Sequence, residues 1–181
     1  MSGAQESAAR ERALLACAEA VERLRAADVA PEALAEYVPP RRGLLRTRPA
    51  TMRPLGEAWR IGALLLGTDG RLFALGRATR AAERGRPGYQ DLSREERREI
   101  AAAALRGGYA AGTPVNYDAV ALPLDDPAGL AALADPGSPL GFAEGEIRVR
   151  WRAGAPLAGA PALSAFLAER VALLIDPPVG S

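Results

Sequence analysis

The stretch EAWRIGALLLGTDGRLFALGRATR, residues 57–80, decides the reading of the fold. Two runs rich in Ile, Leu, Phe and Trp flank Asp69-Gly70. An Asp-Gly pair between apolar runs suits a two-residue type I′ turn, whose central residues both take φ > 0. The pattern predicts a β-hairpin over residues 58–79. With that turn, Leu66 is expected opposite Phe73, Leu65 opposite Ala74, Leu64 opposite Leu75, Ala63 opposite Gly76 and Ile61 opposite Ala78. Strand alternation then gives one mostly small face, Ile61, Ala63, Leu65, Ala74, Gly76 and Ala78, which a helix can approach closely. Leu64, Leu66, Phe73 and Leu75 take the other face. Apolar residues on both faces need cover, because an isolated hairpin is marginal.

Helices are the expected cover. Residues 5–27 fit an amphipathic helix, with Leu14, Cys17, Ala18, Val21 and Leu24 at helical spacing and Glu6/Arg10 and Glu19/Arg23 at i, i+4 outside. Pro31 suits the first position of a short helix through Val38, which Pro39-Pro40 stops. PPRRGLLRTRPATMRP, residues 39–54, has no apolar period and reads as a flexible, extended connection. After a Gly/Pro loop over residues 81–90, Ser93 and Glu96 form a capping box for a helix to about Arg106, ended by Gly107-Gly108. Its stripe of Ile100, Ala101, Ala104 and Leu105 matches the small face of the hairpin.

VNYDAVAL, residues 115–122, has the β-branched and aromatic content of a third strand. Asp126-Pro127 is expected to open one or two helical turns through Leu133. From Glu146 to Arg152, Ile147, Val149 and Trp151 alternate with arginines, which predicts a strand with one buried face and a solvated row of Arg. Pro161 opens a last helix whose stripe is Leu163, Phe166, Leu167, Val171 and Leu174. The expected fold is therefore α+β, with about four antiparallel strands centred on the hairpin and packed by N-terminal, middle and C-terminal helices. At 181 residues, one domain over 1–181 is the default.

The chain has 23 Arg, no Lys and no His, and a net charge of +1. Residues 41–86 hold 11 Arg against Glu57, Asp69 and Glu83, a net +8, which leaves a net −7 elsewhere. The general Arg bias, alongside abundant Ala, Gly and Pro, points to GC-rich codon usage and makes any one Arg cluster less surprising. A lone Cys17 excludes an intramolecular disulfide framework. With no leader-like apolar stretch and no apolar run of membrane-spanning length, a cytoplasmic location is expected.

The missing residue types narrow the chemistry. Without His there is no Ser-His-Asp or Cys-His catalysis and no HExxH metal site. Without Lys there is no Schiff base, P-loop or Ser-x-x-Lys dyad. No GxGxxG follows a strand, so no cofactor is expected. Cys17 lies in a buried helical stripe with no base to activate it and reads as a core residue. Asp125-Asp126 and Glu144/Glu146 could hold a cation or act as an acid/base couple, but capping and solvation explain such loop acids more simply. Asn116 and Asp118 share one strand face and could line a pocket or lie on a wet surface. The basic arm Arg41, Arg42, Arg46, Arg48 and Arg53 suits an anionic or protein partner; the competing reading lays it against the chain's own acidic helices. Neither a membrane nor nucleic acid is expected as a partner, and self-association stays open.

EYVPPRR (36–42), AWRIGALLLGTDGRLFALGRATRAAERGRPGYQ (58–90), EERREIAAAALRGG (95–108) and VNYDA (115–119) follow one another through residues 36–119. Read as a whole, they resemble a family of small proteins of high-GC actinobacteria, some of which carry the label glutaminase. The resemblance implies hydrolysis of an amide and brings no catalytic residue with it. A β-lactamase-like serine glutaminase needs a Ser-x-x-Lys dyad, and a cysteine amidotransferase needs Cys with His or an N-terminal Cys, none of which this chain has. The residues therefore favour a non-catalytic binding or accessory protein, with a glutaminase-like amide hydrolase as the alternative.

Overall fold

The structure, a computed structural model, describes residues 3–43, 46–84, 92–126 and 133–178. The helical turns expected after Asp126 and the loop over residues 85–90 fall outside these residues. The elements in chain order are α1 (Gly3–Ala26), β1 (Glu32–Val38), β2 (Arg41–Arg42), β3 (Thr47–Arg48), β4 (Thr51–Ile61), β5 (Leu64–Gly67), β6 (Leu72–Ala74) and β7 (Arg77–Arg80). They continue with α2 (Leu92–Arg106), β8 (Pro114–Tyr117), β9 (Val120–Leu122), β10 (Leu140–Ala143), β11 (Glu146–Val149) and α3 (Leu163–Ile175). The α+β class stands, but four strands is too few. Seven form one mixed sheet in the order β7-β8-β1-β4-β5-β6-β9, and β10-β11 and β2-β3 make two small ribbons. The chain divides into two compact units, one from residues 1–31, 59–75 and 120–181, the other from residues 32–58 and 76–119.

In the first unit, α1 and α3 pack along each other. Cys17, Val21 and Leu24 of α1 and Leu163, Leu167 and Val171 of α3 join Trp59, Ile61, Leu64, Leu66 and Leu72 in one core. The indole N–H of Trp59 donates to the Val29 carbonyl at 2.7 Å, which satisfies its one polar atom. Of the two long helical stripes read from the sequence, Cys17, Val21, Leu24, Leu163, Leu167 and Val171 are buried and Leu14 and Phe166 half-buried, while Ala18 and Leu174 remain exposed.

The hairpin exists, with a different turn. Gly70 N donates to Gly67 O at 2.9 Å and Gly67 N donates to Arg71 O at 2.8 Å, so the loop has three residues, Thr68-Asp69-Gly70. This is a turn followed by one left-handed residue, and only Gly70, at φ 87°, takes positive φ. Asp69 uses its carboxylate to accept from Arg71 N at 3.1 Å and Arg71 Nε at 2.6 Å, which favours the longer loop. The extra residue slides the register by one, pairing Leu64 with Ala74, Leu65 with Phe73 and Leu66 with Leu72. The expected pairing of Ile61 with Ala78 is absent, because β7 pairs with β8 instead. Space around Gly70 is open, so Gly70→Val should cost only backbone strain, about 1–2 kcal/mol. An unchanged urea midpoint would contradict this loop.

In the second unit, β1 runs antiparallel to β4 and parallel to β8. The short helix expected from Pro31 to Val38 is thus a strand. EALAEYV has helix-forming residues, but seven residues cannot hold an isolated helix, and β1 gains pairing with β4 along its whole length and with β8 at Ala33 and Leu34. Residues 51–54, expected in the extended connection, begin β4. Pro54 is tolerated there because the register shifts between Leu34 and Ala35, opposite Pro54 and Gly56, leaving Leu55 as the extra residue of a bulge.

The expected strand over 115–122 breaks at Asp118, which sits at φ 54°; β8 pairs with β1 and β7, and β9 with β6. Helix α2 ends as expected, with Gly108 N bonded to Leu105 O and Tyr109 N to Ala104 O. Its buried side lies in the core of its own unit. Ile100, Ala103 and Ala104 pack with Ala35, Ala50, Met52, Ala81, Val115 and Tyr117.

Candidate functional site

The basic arm folds into a ribbon. Gly43 N donates to Arg46 O at 3.0 Å, and Arg41 lies directly opposite Arg48, with Arg42 opposite Thr47. Like charges facing each other across strands are destabilising. In β4, Arg53 lies opposite Glu36 of β1 and forms an ion pair with it. These elements enclose a surface cavity of about 400 Å³, lined by Arg41, Arg48, Arg53, Glu36, Val38 and Pro39 among others. Arg42 and Arg46 are exposed and do not line it. Among the described residues, Arg41, Arg42, Arg46 and Arg48 form no ion pair, whereas Arg53 is neutralised by Glu36. Two guanidinium groups without an ion pair among the described residues, those of Arg41 and Arg48, therefore line one concavity.

Asn116 and Asp118 do not share a pocket. Asn116 is buried, and its amide donates to Glu32 Oε2 at 2.8 Å and to the Ala33 carbonyl at 3.3 Å. The positive φ at Asp118 breaks the alternation, so that carboxylate is exposed 4.0 Å from Arg77. The candidate acids are also dispersed. Glu144 pairs with Arg148 at 2.5 Å and Glu146 with Arg12 at 3.0 Å, and among the described residues no three Asp, Glu or Cys side chains gather as metal ligands. Cys17 is buried in the core, and desolvation pushes its thiol from 9.0 up to about 12, so it offers no thiolate near neutral pH.

A larger cavity escaped the sequence reading. In the unit built on α1 and α3, about 610 Å³ opens between one stripe of α1, the Thr68–Leu72 loop and residues 121–125. Its walls are mostly apolar, with Leu14, Ala18 and Val21 from α1 and Leu72, Leu122 and Leu124 facing them. The one available signal was the α1 stripe, which is wider than the core needs: Ala18 is at helical spacing yet exposed. Among the described residues, no helix is long and apolar enough to cross a membrane.

Comparison with protein-family models, with curated proteins and with solved structures finds no match for this chain.

Proposed function

We propose that this chain is a non-catalytic binding protein that takes an anionic group of its partner in the cavity beside β2 and β3. The observation that carries this reading is the cross-strand Arg41/Arg48 pair, which faces a concavity whose single lining carboxylate, Glu36, already pairs with Arg53. An anion between the two guanidinium groups relieves their repulsion and accepts charge-assisted hydrogen bonds. Inorganic phosphate and a hexaglutamate peptide serve as probes, separating a small-anion site from an acidic-peptide site.

The double variant R41S/R48S should lose at least tenfold in affinity for whichever probe binds, and the wild-type affinity should fall steeply with salt. Its melting temperature should change by less than about 2 °C, because exposed charges contribute little to stability. Lower stability with unaltered binding would sink this reading. The rival amide hydrolase rests on the family resemblance and draws no support from Cys17, whose thiol stays protonated. Ammonia release from glutamine that vanishes in a Ser or Asp variant of this chain would favour it instead.

A further inference from the structure

We propose that the 610 Å³ pocket between α1, the Thr68–Leu72 loop and residues 121–125 is a second binding site, for an amphipathic organic amine. The size and apolar walls are those of a small-molecule site, where a few polar groups fix orientation. Five charged side chains line it: Glu22, Arg25, Asp69, Arg71 and Asp125. Four are already matched. Arg25 bonds Glu22 at 3.0 Å and the Thr68 carbonyl at 2.8 Å, and Arg71 bonds Asp69 at 2.6 Å. Among the described residues, Asp125 has no ion-pair partner, so the rim keeps one net negative charge at that end. An apolar body against Leu14, Val21, Leu72 and Leu122 with an ammonium at Asp125 matches both features. A carboxylate ligand would have to break a closed ion pair and face Asp125.

The test varies only the head group. The full chain is titrated calorimetrically in low salt with n-octylamine, 1-octanol and octanoate. Octylamine should bind one saturable site about fivefold more tightly than octanol, the factor expected for one unit-charge contact at about 4 Å in water, and octanoate most weakly. Asp125→Asn should reduce octylamine to the affinity of octanol without altering octanol itself. Ala18→Trp and Ala121→Trp each place an indole in the pocket from an exposed position, and each should abolish binding of both. R41S/R48S should bind octylamine as the wild type does, so this site and the anion site stand or fall separately. No saturable octylamine binding, octanoate as tight as octylamine, an unaffected Asp125→Asn variant, or binding that survives both Trp variants would each overturn the proposal.

Discussion

Arg150→Ala is expected to lower the unfolding free energy by about 3 kcal/mol, the loss of two or more charge-assisted hydrogen bonds plus the carbonyls left without a donor. Arg150 is only 7 % exposed, and its guanidinium is held by main-chain carbonyls: Nη1 donates to Ser138 O at 2.9 Å and Leu140 O at 2.6 Å, and Nε to Ala155 O at 3.1 Å. One planar cation therefore ties the start of β10 to the loop after β11. Arg150→Lys should recover little, since a single ammonium cannot reach both sides of that fork. Arg152→Ala, at an exposed position where the guanidinium stacks 4.4 Å from Trp151, should stay within about 0.5 kcal/mol of the wild type. Urea unfolding of the three variants checks the order. An Arg150→Ala effect as small as that of Arg152→Ala would mean that both lie in solvent.

That solvated row is what strict alternation from Glu146 to Arg152 predicts, and it shows where sequence reading runs out. Ile147 and Val149 are buried as the period requires, at 1 % and 3 % exposure. The strand then ends: Arg150 N bonds Pro139 O at 2.7 Å, beyond the last β10–β11 pair of Leu140 with Val149. Past a strand's end the period of two no longer places side chains, so Arg150 turns inward and Trp151, 72 % exposed, turns outward. The long elements were legible because their signals are local and repeated, as in the stripes of α1 and α3 and the glycine stop of α2. β1 was not, since its neighbours β4 and β8 decide its conformation and its own Glu, Ala and Leu argue the other way.

The candidate sites divide in the same manner. Five arginines close in sequence were visible as a basic arm, but which of them converge depends on the ribbon pairing Arg41 with Arg48 and on Glu36 lying opposite Arg53. The apolar pocket draws its walls from three segments spread over residues 14–125, and no local pattern announces it. Asn116 and Asp118 were placed on one face by alternation, and the left-handed backbone at Asp118 undoes that placement.

Gly76→Ala is expected to cost about 3 kcal/mol, at the upper end of what overpacking does, and to lower the melting temperature by roughly 6–12 °C for a chain of this length. In a hairpin with a two-residue turn, Gly76 would lie opposite Ala63 on the small face and a methyl group would fit. In the structure Gly76 instead leads into β7, and a Cβ there would come within 2.4 Å of the Asp118 carbonyl carbon and oxygen and the Tyr117 carbonyl oxygen. These are backbone atoms that cannot easily give way. Tyr117 is 3 % exposed and pairs with Arg77 across β7–β8, and the Arg77 guanidinium lies 5.3 Å over its ring. Asp118 already sits at φ 54°. Relief requires β7 to part from β8, which breaks the ladder from Arg77 to Arg80 at its first pair. Gly70→Ala, with open space around φ 87°, should cost only about 1 kcal/mol, so the two variants separate steric clash from backbone strain. A Gly76→Ala protein within 0.5 kcal/mol of the wild type would place Gly76 back opposite Ala63.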